Sequence, residues 1–450
     1  MKKLDFNISV LGKPMVKMPL LPSQKKDEHQ SSYVSDDRYI IYDIETTKDA
    51  RVPNINHNNL LELAGPRDVI YFDPAKVRAG IVTCGGLCPG LNDVIRAIVM
   101  TLWYRYDSKH IYGFRCGYRG LIPRFKLPIM ELTPDIVSKI HRLGGTILGA
   151  SRGYGDCTDE IVDSLERMNI SMLFAIGGDG AQRGALAISE EAKRRGLKIA
   201  VVGIPKTIDN DLSFVQKSFG FQTAVSRAVD AVACAHVEAH DGINGIGIVK
   251  VMGRESGFIA VHTAMAINDA NYVLIPEVPF DLEGENGLLA NLERRLKERN
   301  HAVILVAEGA GQEHLEHSED TDASGNKKLG DIGIYLKEKI SEYFGKKGIE
   351  INLKYIDPSY MIRSAPANSN DSTYCARLGA HAVHAAMAGK TGMIISLIHN
   401  RFVHVPIKMV ISSRKRIDPH KELWRDVTEA TGQPLMIKDT STQKSEVKDI

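Results

Sequence analysis

The sequence has few cysteines, no long hydrophobic run and no excess of charge of one sign. Its six cysteines include no Cys-x-x-Cys pair, so neither a structural zinc site nor a disulfide framework is indicated. The longest apolar runs, such as 302–307, fall far short of the ~18 residues of a membrane span. With 57 basic and 55 acidic residues, the basic surface typical of nucleic-acid binding is not expected. We therefore expect a cytoplasmic protein whose partners include neither nucleic acid nor membrane.

From Val77 onward, short apolar runs alternate with amphipathic segments, which is typical of βαβ units. Several runs are apolar at successive positions, as expected for strands covered by helices on both faces. The predicted strands are 77–83, 172–176, 199–204, 246–252, 272–275, 302–306 and 393–398. The predicted helices are 90–104, 183–195, 222–239, 256–267, 286–299, 331–344 and 371–388, with a further one around 421–431.

These elements predict an α/β fold. A chain of 450 residues is long enough for two or three domains, and this number of strands favours two sheets over one very wide sheet. Residues 1–70 contain polar runs without periodicity, so we interpret them as an N-terminal extension on the surface.

A glycine-rich stretch, Thr83-Cys-Gly-Gly-Leu-Cys-Pro-Gly-Leu-Asn92, follows the first predicted strand and leads into a helix. Its glycines would let backbone N–H groups approach an anion at the helix N-terminus. A tight turn between a strand and a helix needs glycine as well. A phosphate-binding loop and a simple turn therefore both remain open.

The motif Gly177-Gly-Asp-Gly180 ends the predicted strand 172–176. A carboxylate at the carboxyl end of a parallel strand, flanked by glycines that admit phosphates, suits Asp179 for holding Mg²⁺. The motif also marks NAD kinases and lipid kinases, so it favours phosphoryl transfer without choosing the acceptor. The structural alternative is that Asp179 is only a helix N-cap.

The segment Pro205-Lys-Thr-Ile-Asp-Asn-Asp211 places a lysine, a hydroxyl and two carboxylates in one loop after a predicted strand. One carboxylate can accept a proton from an attacking sugar hydroxyl, while Lys206 and Thr207 can contact the transferred phosphoryl group. A turn rich in Asp and Asn is the alternative. A turn alone gives no reason for Lys-Thr to precede the acidic residues.

Six motifs together resemble those of 6-phosphofructokinases, in the order seen in that family. Beside the three above, they are Met-Gly-Arg-Glu-Ser-Gly at 252–257, Ala-Glu-Gly at 307–309 and Asp-Pro-Ser-Tyr-Met-Ile-Arg at 357–363. The resemblance covers about residues 65–435. The chain is most similar to the longer branch found in plants and trypanosomatids, whose ATP-dependent members carry lysine before Thr-Ile-Asp-Asn-Asp.

The resemblance implies two doubly wound Rossmann-like domains with the active site in the cleft between them. The nucleotide-binding domain would comprise 71–220 with 365–412. The sugar-phosphate-binding domain would comprise 221–364 with 413–450, which includes a C-terminal arm. The implied activity is transfer of the ATP γ-phosphoryl group to the 1-hydroxyl of fructose 6-phosphate, a step of glycolysis.

The resemblance also implies roles for individual residues. Asp179 would hold Mg²⁺, and Asp209 would be the base, with Thr207, Asp211 and Arg254 as its catalytic partners. As the base, Asp209 needs no large shift of its pKa, because a metal and nearby cations favour its ionised form. The ATP site would comprise Gly86, Arg152, Gly153, Gly178, Asp179, Gly180, Ala181, Gly184 and Lys206. The sugar-phosphate site would comprise Thr207, Asp209, Met252, Gly253, Arg254, Glu308, Lys354, Tyr360 and Arg363.

Two positions depart from the pattern of many bacterial relatives. Gly245 stands where those relatives place an arginine that reaches a neighbouring subunit's substrate, so that contact must be absent or replaced. Lys354 stands where they have an arginine for the 6-phosphate, so the charge is kept and the bidentate geometry is lost.

Other functions are weighed against these residues. In pyrophosphate-dependent relatives an aspartate usually follows Gly-Gly-Asp and lysine precedes Thr-Ile-Asp-Asn-Asp, so Gly180 favours ATP whereas Lys206 alone favours pyrophosphate. We give Gly180 more weight. A carboxylate at this position would obstruct the nucleotide's phosphates by its volume and its charge, and such an obstruction is more decisive than an extra lysine. The 205–211 and 252–254 motifs argue against an NAD or lipid kinase.

A non-catalytic regulatory subunit would be expected to lose Asp179, Asp209 or Arg254. The family is often allosteric, and a homo-oligomer is expected, with a tetramer favoured.

Overall fold

The computed structural model describes residues 4–19, 33–45, 57–315 and 328–438, which divide into two units. The parts of the predicted N-terminal extension at 20–32 and 46–56, and the end of the C-terminal arm at 439–450, lie outside the described residues. The first unit comprises Met1–Thr207, Leu212–Gly220 and Ser364–Arg414. The second comprises Ile208–Asp211, Phe221–Arg363 and Lys415–Ile450.

Seventeen strands are present in the described residues. They are β1 (Ser9–Val10), β2 (Val16–Lys17), β3 (Tyr39–Ile41), β4 (Leu60–Glu62), β5 (Val69–Ile70), β6 (Arg78–Thr83), β7 (His110–Phe114), β8 (Ile129–Glu131), β9 (Met172–Gly177), β10 (Ala200–Pro205), β11 (Gly245–Val251), β12 (Tyr272–Leu274), β13 (His301–Ala307), β14 (Asn352–Ile356), β15 (Lys390–Thr391), β16 (Met393–Ile398) and β17 (Arg401–Pro406).

The same part of the chain forms twelve α-helices. They are α1 (Leu91–Met100), α2 (Pro134–Val137), α3 (Thr158–Arg167), α4 (Asp179–Arg194), α5 (Phe221–Asp241), α6 (Phe258–Ile267), α7 (Leu288–Arg299), α8 (Ile332–Lys346), α9 (Ser359–Arg363), α10 (Ser369–Met387), α11 (Ile407–Val410) and α12 (Glu422–Thr431). None of the helices described is both long and apolar enough to cross a membrane.

The first unit is built on a seven-stranded sheet with the order β17-β16-β10-β9-β6-β7-β8. The five inner strands are parallel, and the edge strands β17 and β8 are antiparallel to their neighbours. Every residue of β9 and β10 is buried. Helices α4 and α10 both pack against β10, which explains why these strands are apolar at successive positions.

The described N-terminal residues belong to the first unit and pair with it through short antiparallel strands. β1 pairs with β15, β2 with β5, and β3 with β4. Leu63, just beyond β4, forms an isolated bridge with Val403 on the edge strand β17. This edge of the large sheet is therefore partly covered by the chain's own N-terminal segment.

The second unit contains a parallel four-stranded sheet with the order β12-β13-β11-β14. Helix α5 packs on β11 and β13, α7 packs on β13, and α8 packs on β11 and β14. Apolar side chains from these strands, from α7 and from α8 form its core. The two parallel-sheet units confirm the predicted α/β class with two sheets.

The predicted elements are present, with shifted ends and several additions. The helix predicted at 183–195 begins at Asp179, and a π-helical turn at Thr101–Arg105 continues α1. The strand β14 and the helix α3 were not predicted. Strand β14 carries polar residues at alternate, exposed positions, so no apolar run marks it.

Candidate functional site

The predicted functional residues lie where parallel strands end. Gly86 follows β6, Asp179 follows β9, and Lys206 follows β10 in the first unit. Met252 follows β11 and Glu308 follows β13 in the second unit. The carboxyl ends of parallel strands are where open α/β sheets bind their ligands, because adjacent connections diverge there.

In the first unit, the glycine-rich turn after β6 lies beside the Arg152–Gly153 loop. The backbone N–H of Gly85 donates to the carbonyl of Ser151 at 2.9 Å, and Cys84 bridges Ser151 in parallel register. A Cβ atom at Gly86 would lie 3.8 Å from Nη2 of Arg152. The structure therefore brings together Gly86, Arg152 and Gly153, as predicted for one phosphate site. Gly153 has a φ of +80°, which favours glycine there.

The Gly-Gly-Asp-Gly motif forms the junction between β9 and α4. Gly178 is the N-cap of α4, and Asp179 occupies the first helical position. The alternative interpretation of Asp179 as the N-cap is therefore wrong. Its carboxylate accepts from Nε of Arg183 at 3.0 Å, and its side chain is 25% exposed.

Three small residues of the first turns of α4 have different surroundings. No heavy atom lies within 4 Å of a Cβ built on Gly180, which is exposed. A Cβ on Gly184 would approach Cε2 of Tyr118 to 2.7 Å, and the carbonyl of Ala181 accepts from the hydroxyl of Tyr118 at 2.5 Å. Packing against Tyr118 is thus one reason for glycine at 184, whereas Gly180 borders open space.

Lys206 joins the end of β10 to the glycine-rich turn. Its Nζ donates to the carbonyl of Gly86 at 2.8 Å, and its backbone N–H donates to Gly177 at 3.0 Å. The residue is only 7% exposed. A cation therefore lies against the backbone of the turn that was predicted to hold phosphates. Thr207, the last residue of this segment in the first unit, accepts from the hydroxyl of Ser218 through its carbonyl at 2.5 Å.

In the second unit, the acidic loop Ile208–Asp211 is held by its backbone. The carbonyl of Asp209 accepts from the hydroxyl of Ser256 at 3.3 Å. The carbonyl of Asp211 accepts from the backbone N–H of Lys415 at 2.8 Å. Asn210 between them has a φ of +56°, a conformation that asparagine tolerates better than most residues. This geometry fixes the two carboxylates on either side of a left-handed residue.

The carboxylate of Asp209 is in an environment that disfavours its charge. Asp209 is half-buried as a residue, but its Oδ1 atom is inaccessible to solvent. Burial and the nearby charges of Asp211 and Glu308 raise the pKa of Asp209 to about 8, while Arg363 acts in the opposite direction. This shift belongs to the chain without metal or substrate, so the expectation for Asp209 with a metal and cations nearby stays a prediction. Cations that approach this loop would lower the pKa again.

The Met252-Gly-Arg254 turn and the Ala307-Glu-Gly309 segment form one piece of structure. The N–H of Glu308 donates to Val251 at 2.9 Å, and that of Gly309 donates to Gly253 at 3.0 Å. A Cβ on Gly309 would lie 1.9 Å from the carbonyl oxygen of Arg254, so only glycine permits this approach. The second unit thus brings Met252, Arg254 and Glu308 together as predicted.

Three residues of the predicted sugar-phosphate site, Lys354, Tyr360 and Arg363, differ in how close they lie to the Met252 turn. Arg363, at the end of α9, donates from Nε to the Sδ atom of Met252 at 3.3 Å. Tyr360 is 82% exposed. Lys354 is exposed on β14, where it pairs with Gly247 rather than with the end of β11. Arg363 therefore contacts the Met252 turn, whereas Lys354 lies further back along the sheet.

Gly245 begins β11 at the point where the chain arrives from α5. A Cβ there would lie 1.9 Å from the carbonyl oxygen of Ala239. The arginine that many bacterial relatives place at this position cannot be accommodated by this backbone.

The carboxylate of Asp179 suits an Mg²⁺ ion that is also bound by the phosphates of a nucleotide. It does not suit a metal ion held by protein side chains alone. Within the described ranges, no three His, Cys, Asp or Glu side chains are arranged to hold a metal ion. Magnesium in nucleotide-dependent enzymes needs only one or two carboxylates beside phosphate oxygens and water. Asp179 offers one partly exposed carboxylate at a strand end, which fits that requirement.

The C-terminal arm contributes Lys415 and Ile417, to which the sequence motifs gave no role. Both carboxylate oxygens of Glu277 accept from the N–H of Gly257, and one also accepts from Ile417 at 2.9 Å. Burial lowers the pKa of Lys415 to about 8, although Asp211 opposes that shift. The basic run 414–416 was visible in the sequence, but nothing in it showed which loop it would contact.

Comparison with known proteins identifies the family that these features define. The phosphofructokinase family model matches residues 78–386. The chain belongs to the phosphofructokinase family.

Relatives and solved structures agree with that assignment. The chain is 56% identical over 447 residues to the ATP-dependent 6-phosphofructokinase of Borreliella burgdorferi, covering 97% of this chain and 99% of the relative. It is 51% identical over 375 residues to that of Trypanosoma brucei brucei, covering 83% and 76%. A pyrophosphate-dependent phosphofructokinase from Marinobacter aquaeolei has a similar fold, with a TM-score of 0.66, 21% identity, and coverage of 80% and 91%.

Proposed function

We propose that this chain is an ATP-dependent 6-phosphofructokinase. It transfers the γ-phosphoryl group of ATP to the 1-hydroxyl of D-fructose 6-phosphate, which gives fructose 1,6-bisphosphate and ADP. The observation that carries the proposal is the arrangement of the second unit. The charges of Glu308 and Arg363 lie close enough to Asp209 to shift its pKa, and the neighbour of Glu308, Gly309, donates to Gly253 in the Met252–Arg254 turn. Curated relatives 48–56% identical to the chain carry the same name.

We assign the residues that bind ATP to the first unit. The turn at Gly86, with Arg152, Gly153 and Lys206, provides backbone N–H groups and two cations for phosphate oxygens. The N-terminus of α4 adds the residues 178–181 and Gly184, with a favourable partial positive charge. When bound, Mg²⁺ would neutralise phosphate charge, and Asp179 would be its protein ligand.

We assign the chemistry on the sugar to the second unit. Asp209 accepts the proton of the 1-hydroxyl, so it must be ionised when substrate is bound. Arg363 already favours its ionised form, and Arg254 contributes through a backbone hydrogen bond. Asp211, at the end of the loop, and Thr207, the residue of the first unit that precedes it, would contact the transferred group. Glu308 accepts hydrogen bonds from sugar hydroxyls.

The remaining sugar-site residues bind the substrate's phosphate and shape its pocket. Met252 and Gly253 form the turn on which Arg254 is carried, and Arg363 reaches that turn. Tyr360 and Lys354 are both exposed to solvent, and we assign both to the sugar phosphate. We place Lys354 at the sugar phosphate of a neighbouring subunit, so the active form is a homo-oligomer and most simply a tetramer.

The choice of donor rests on Gly180. Open space at its Cβ position leaves room for nucleotide phosphates that an aspartate would crowd and repel. The fold likeness to a pyrophosphate-dependent structure does not bear on this choice, because at 21% identity it reports the fold alone. The lysine at 206 is compatible with either donor.

One assay tests the proposal. Purified protein is incubated with fructose 6-phosphate and Mg²⁺, with ATP or pyrophosphate as separate donors, and bisphosphate formation is measured. We expect turnover with ATP and little with pyrophosphate, and the Asp209→Asn variant serves as the background. Efficient use of pyrophosphate alone would reverse the donor assignment. No bisphosphate with either donor would refute the activity.

A further inference from the structure

Lys250 is a cation inside an otherwise apolar strand, and the proposed mechanism does not use it. It is the sixth residue of β11, and its side chain is only 12% exposed. Two residues later the chain enters the Met252–Arg254 turn. A charged side chain buried in a central strand requires partners, because desolvating an unpaired ammonium group is costly.

The partners of Lys250 come from two other elements of the second unit. Its Nζ lies 2.7 Å from Oδ2 of Asp331, whose other oxygen caps the N-terminus of α8. It also lies 3.0 Å from Oδ2 of Asp357, the first residue of the motif 357–363. The hydroxyl of Tyr355 donates to Asp331 at 3.1 Å. Lys250 therefore joins β11 to α8 and to the segment that follows β14.

The register of the sheet explains why Asp357 can be reached. β11 and β14 are parallel, and Val249 pairs with Ile356, so Lys250 and Asp357 are the next residues at the same level. The other oxygen of Asp357, Oδ1, accepts from the N–H of Ser359 at 3.0 Å, at the start of α9. That helix carries Tyr360 and Arg363.

We propose that Lys250 is a positioning residue for the sugar-phosphate site, which holds the segment 357–363 in register with the Met252–Arg254 turn. The proposal rests on the assignment of that site under the proposed function. The ion pair of Lys250 with Asp357 and the contact of Arg363 with Met252 both join the segment to β11 and its exit. Loss of the ion pair removes the tie at the start of the segment, just before the helix α9 that carries Arg363.

Direct binding of the sugar phosphate by Lys250 is disfavoured by its surroundings. Its ammonium group already lies between two carboxylates, so the cluster formed by Lys250, Asp331 and Asp357 carries a net negative charge. Both carboxyl groups have lowered pKa values, with Lys250 among the causes, which keeps this charge in place near neutral pH. A phosphate would be repelled by such a cluster rather than bound by it.

Steady-state kinetics of Lys250→Met and Lys250→Arg test the proposal. We expect Lys250→Met to raise KM for fructose 6-phosphate by about tenfold or more, with KM for ATP changed less than about threefold. Arginine should restore most of the affinity, because it can pair with both carboxylates. The matched control is Lys297→Met, which removes a lysine paired with Glu293 at 2.8 Å on the surface of the same unit and should change neither constant.

Arg363→Ala separates the failure of this proposal from failure of the site assignment. If Arg363→Ala raises KM for fructose 6-phosphate and Lys250→Met does not, the positioning role is refuted and the site stands. If Arg363→Ala leaves this KM unchanged, the site itself is misassigned and the positioning role is refuted with it.

A second pair of variants keeps the test valid where Lys250→Met folds poorly. Asp357→Asn weakens the tie to the segment 357–363 and leaves the ion pair of Lys250 with Asp331 intact. Asp331→Asn weakens the pair with Asp331 and leaves the ion pair of Lys250 with Asp357 intact. We expect Asp357→Asn to raise KM for fructose 6-phosphate several times more than Asp331→Asn does. Equal effects of the two, or a larger effect of Asp331→Asn, would show that the cluster only stabilises the unit and would overturn the proposal.

Discussion

Asp209 must be ionised to act as a base, yet the folded chain holds it in surroundings that favour its protonated form. The unfolded chain ionises this carboxyl near the ordinary aspartate pKa of 3.8, whereas the folded chain keeps the proton until about pH 8. Because the unfolded state then binds fewer protons, stability falls as pH rises through this window. The residue thus illustrates a conflict between stability and function.

We predict that Asp209→Asn lowers turnover by at least ~10²-fold, as removal of a positioned base does. Since asparagine cannot ionise, we also expect the variant to become more stable than the parent as pH rises from 4 to 8. For a chain of 450 residues that unfolds as one unit, each kcal/mol gained should raise Tm by roughly 1 °C. Turnover and thermal unfolding, each measured across this pH range, check both parts.

The control for Asp209→Asn is Asp230→Asn, which changes an exposed aspartate of α5 and should leave turnover and stability unchanged. Turnover within a fewfold of the parent would show that Asp209 is not the base. A variant that is less stable than the parent at pH 8 would show that its charge is not disfavoured in the fold.

Gly180 provides the residue-scale test of the donor. The Cβ of an aspartate there would point into open space beyond the adjacent backbone of α4, and an acidic residue is favourable in the first turn of a helix. We therefore predict that Gly180→Asp folds normally and raises KM for ATP by about tenfold or more through repulsion of nucleotide phosphates. Kinetics with ATP and with fructose 6-phosphate measure the effect.

Gly180→Asn is the matched control for Gly180→Asp, because it adds nearly the same volume without the charge. We expect it to impair ATP use less. If Gly180→Asp left the ATP kinetics unchanged, the glycine at this position would no longer be a reason to prefer ATP over pyrophosphate as the donor.

At the scale of elements, the sequence predicted strands whose residues form long and mainly apolar runs, and it missed β14, in which polar residues alternate. The run 302–306 became β13, because both faces of that strand are buried. Strand β14 lies at the edge of the same sheet, so its exposed positions carry Asn352 and Lys354 and leave no apolar run. Edge position, which decides this pattern, is a property of the assembled sheet and not of the segment.

The residues of the candidate site could likewise be predicted only in part. The motifs at strand ends could be predicted, because their glycines and carboxylates are adjacent in sequence. The cluster around Lys250 could not, since its two acidic partners lie 81 and 107 residues further along the chain and are brought close only by the strand register. A lysine in an apolar strand was the one available signal.

The N-terminal segment is fastened to the first unit by a buried ionic network. Oε1 of Glu62, at the end of β4, lies 2.7 Å from Nη2 of Arg67, 2.8 Å from Nζ of Lys390 and 3.4 Å from Nδ1 of His404. His404 and Lys390 lower the pKa of Glu62 well below its usual range, against the effect of burial. Lys390 and His404 lie in β15 and β17, so the network links four segments.

We predict that Glu62→Gln destabilises the protein by about 3–5 kcal/mol at pH 7, because it leaves Arg67 and Lys390 incompletely compensated in a buried site. The carboxylate's contribution is fully present above the ordinary glutamate pKa of 4.5 and shrinks as pH falls below that value toward the lowered folded pKa. Denaturant unfolding of parent and variant at several pH values gives the difference.

Glu342→Gln provides the comparison for Glu62→Gln. It removes a carboxylate that pairs with Lys346 at 2.7 Å on the surface, and such exposed pairs contribute little to stability because solvent screens them. If the two variants were equally stable, the buried network would not hold the N-terminal segment in place.

At the scale of the whole molecule, the question is whether a single chain forms a complete site. Lys354 is exposed on β14 and lies three residues, about 10 Å along the strand, before the level of Asp357. Its side chain makes no ion pair among those found within the described residues. A cation placed in this way is available to a second copy of the chain, which is the basis for expecting a catalytic oligomer.

We predict that Lys354→Ala weakens fructose 6-phosphate binding more than ATP binding, since only the sugar phosphate loses a charged partner. The stronger test mixes Lys354→Ala protein with Asp209→Asn protein under conditions of subunit exchange. If Lys354 serves the neighbour's site, mixed oligomers contain some sites with both native residues, so activity should rise above that of either variant alone. Exchange demonstrated by mass or fluorescence without any recovery would place both residues in the site of one chain, and a fully active monomer would refute the shared site directly.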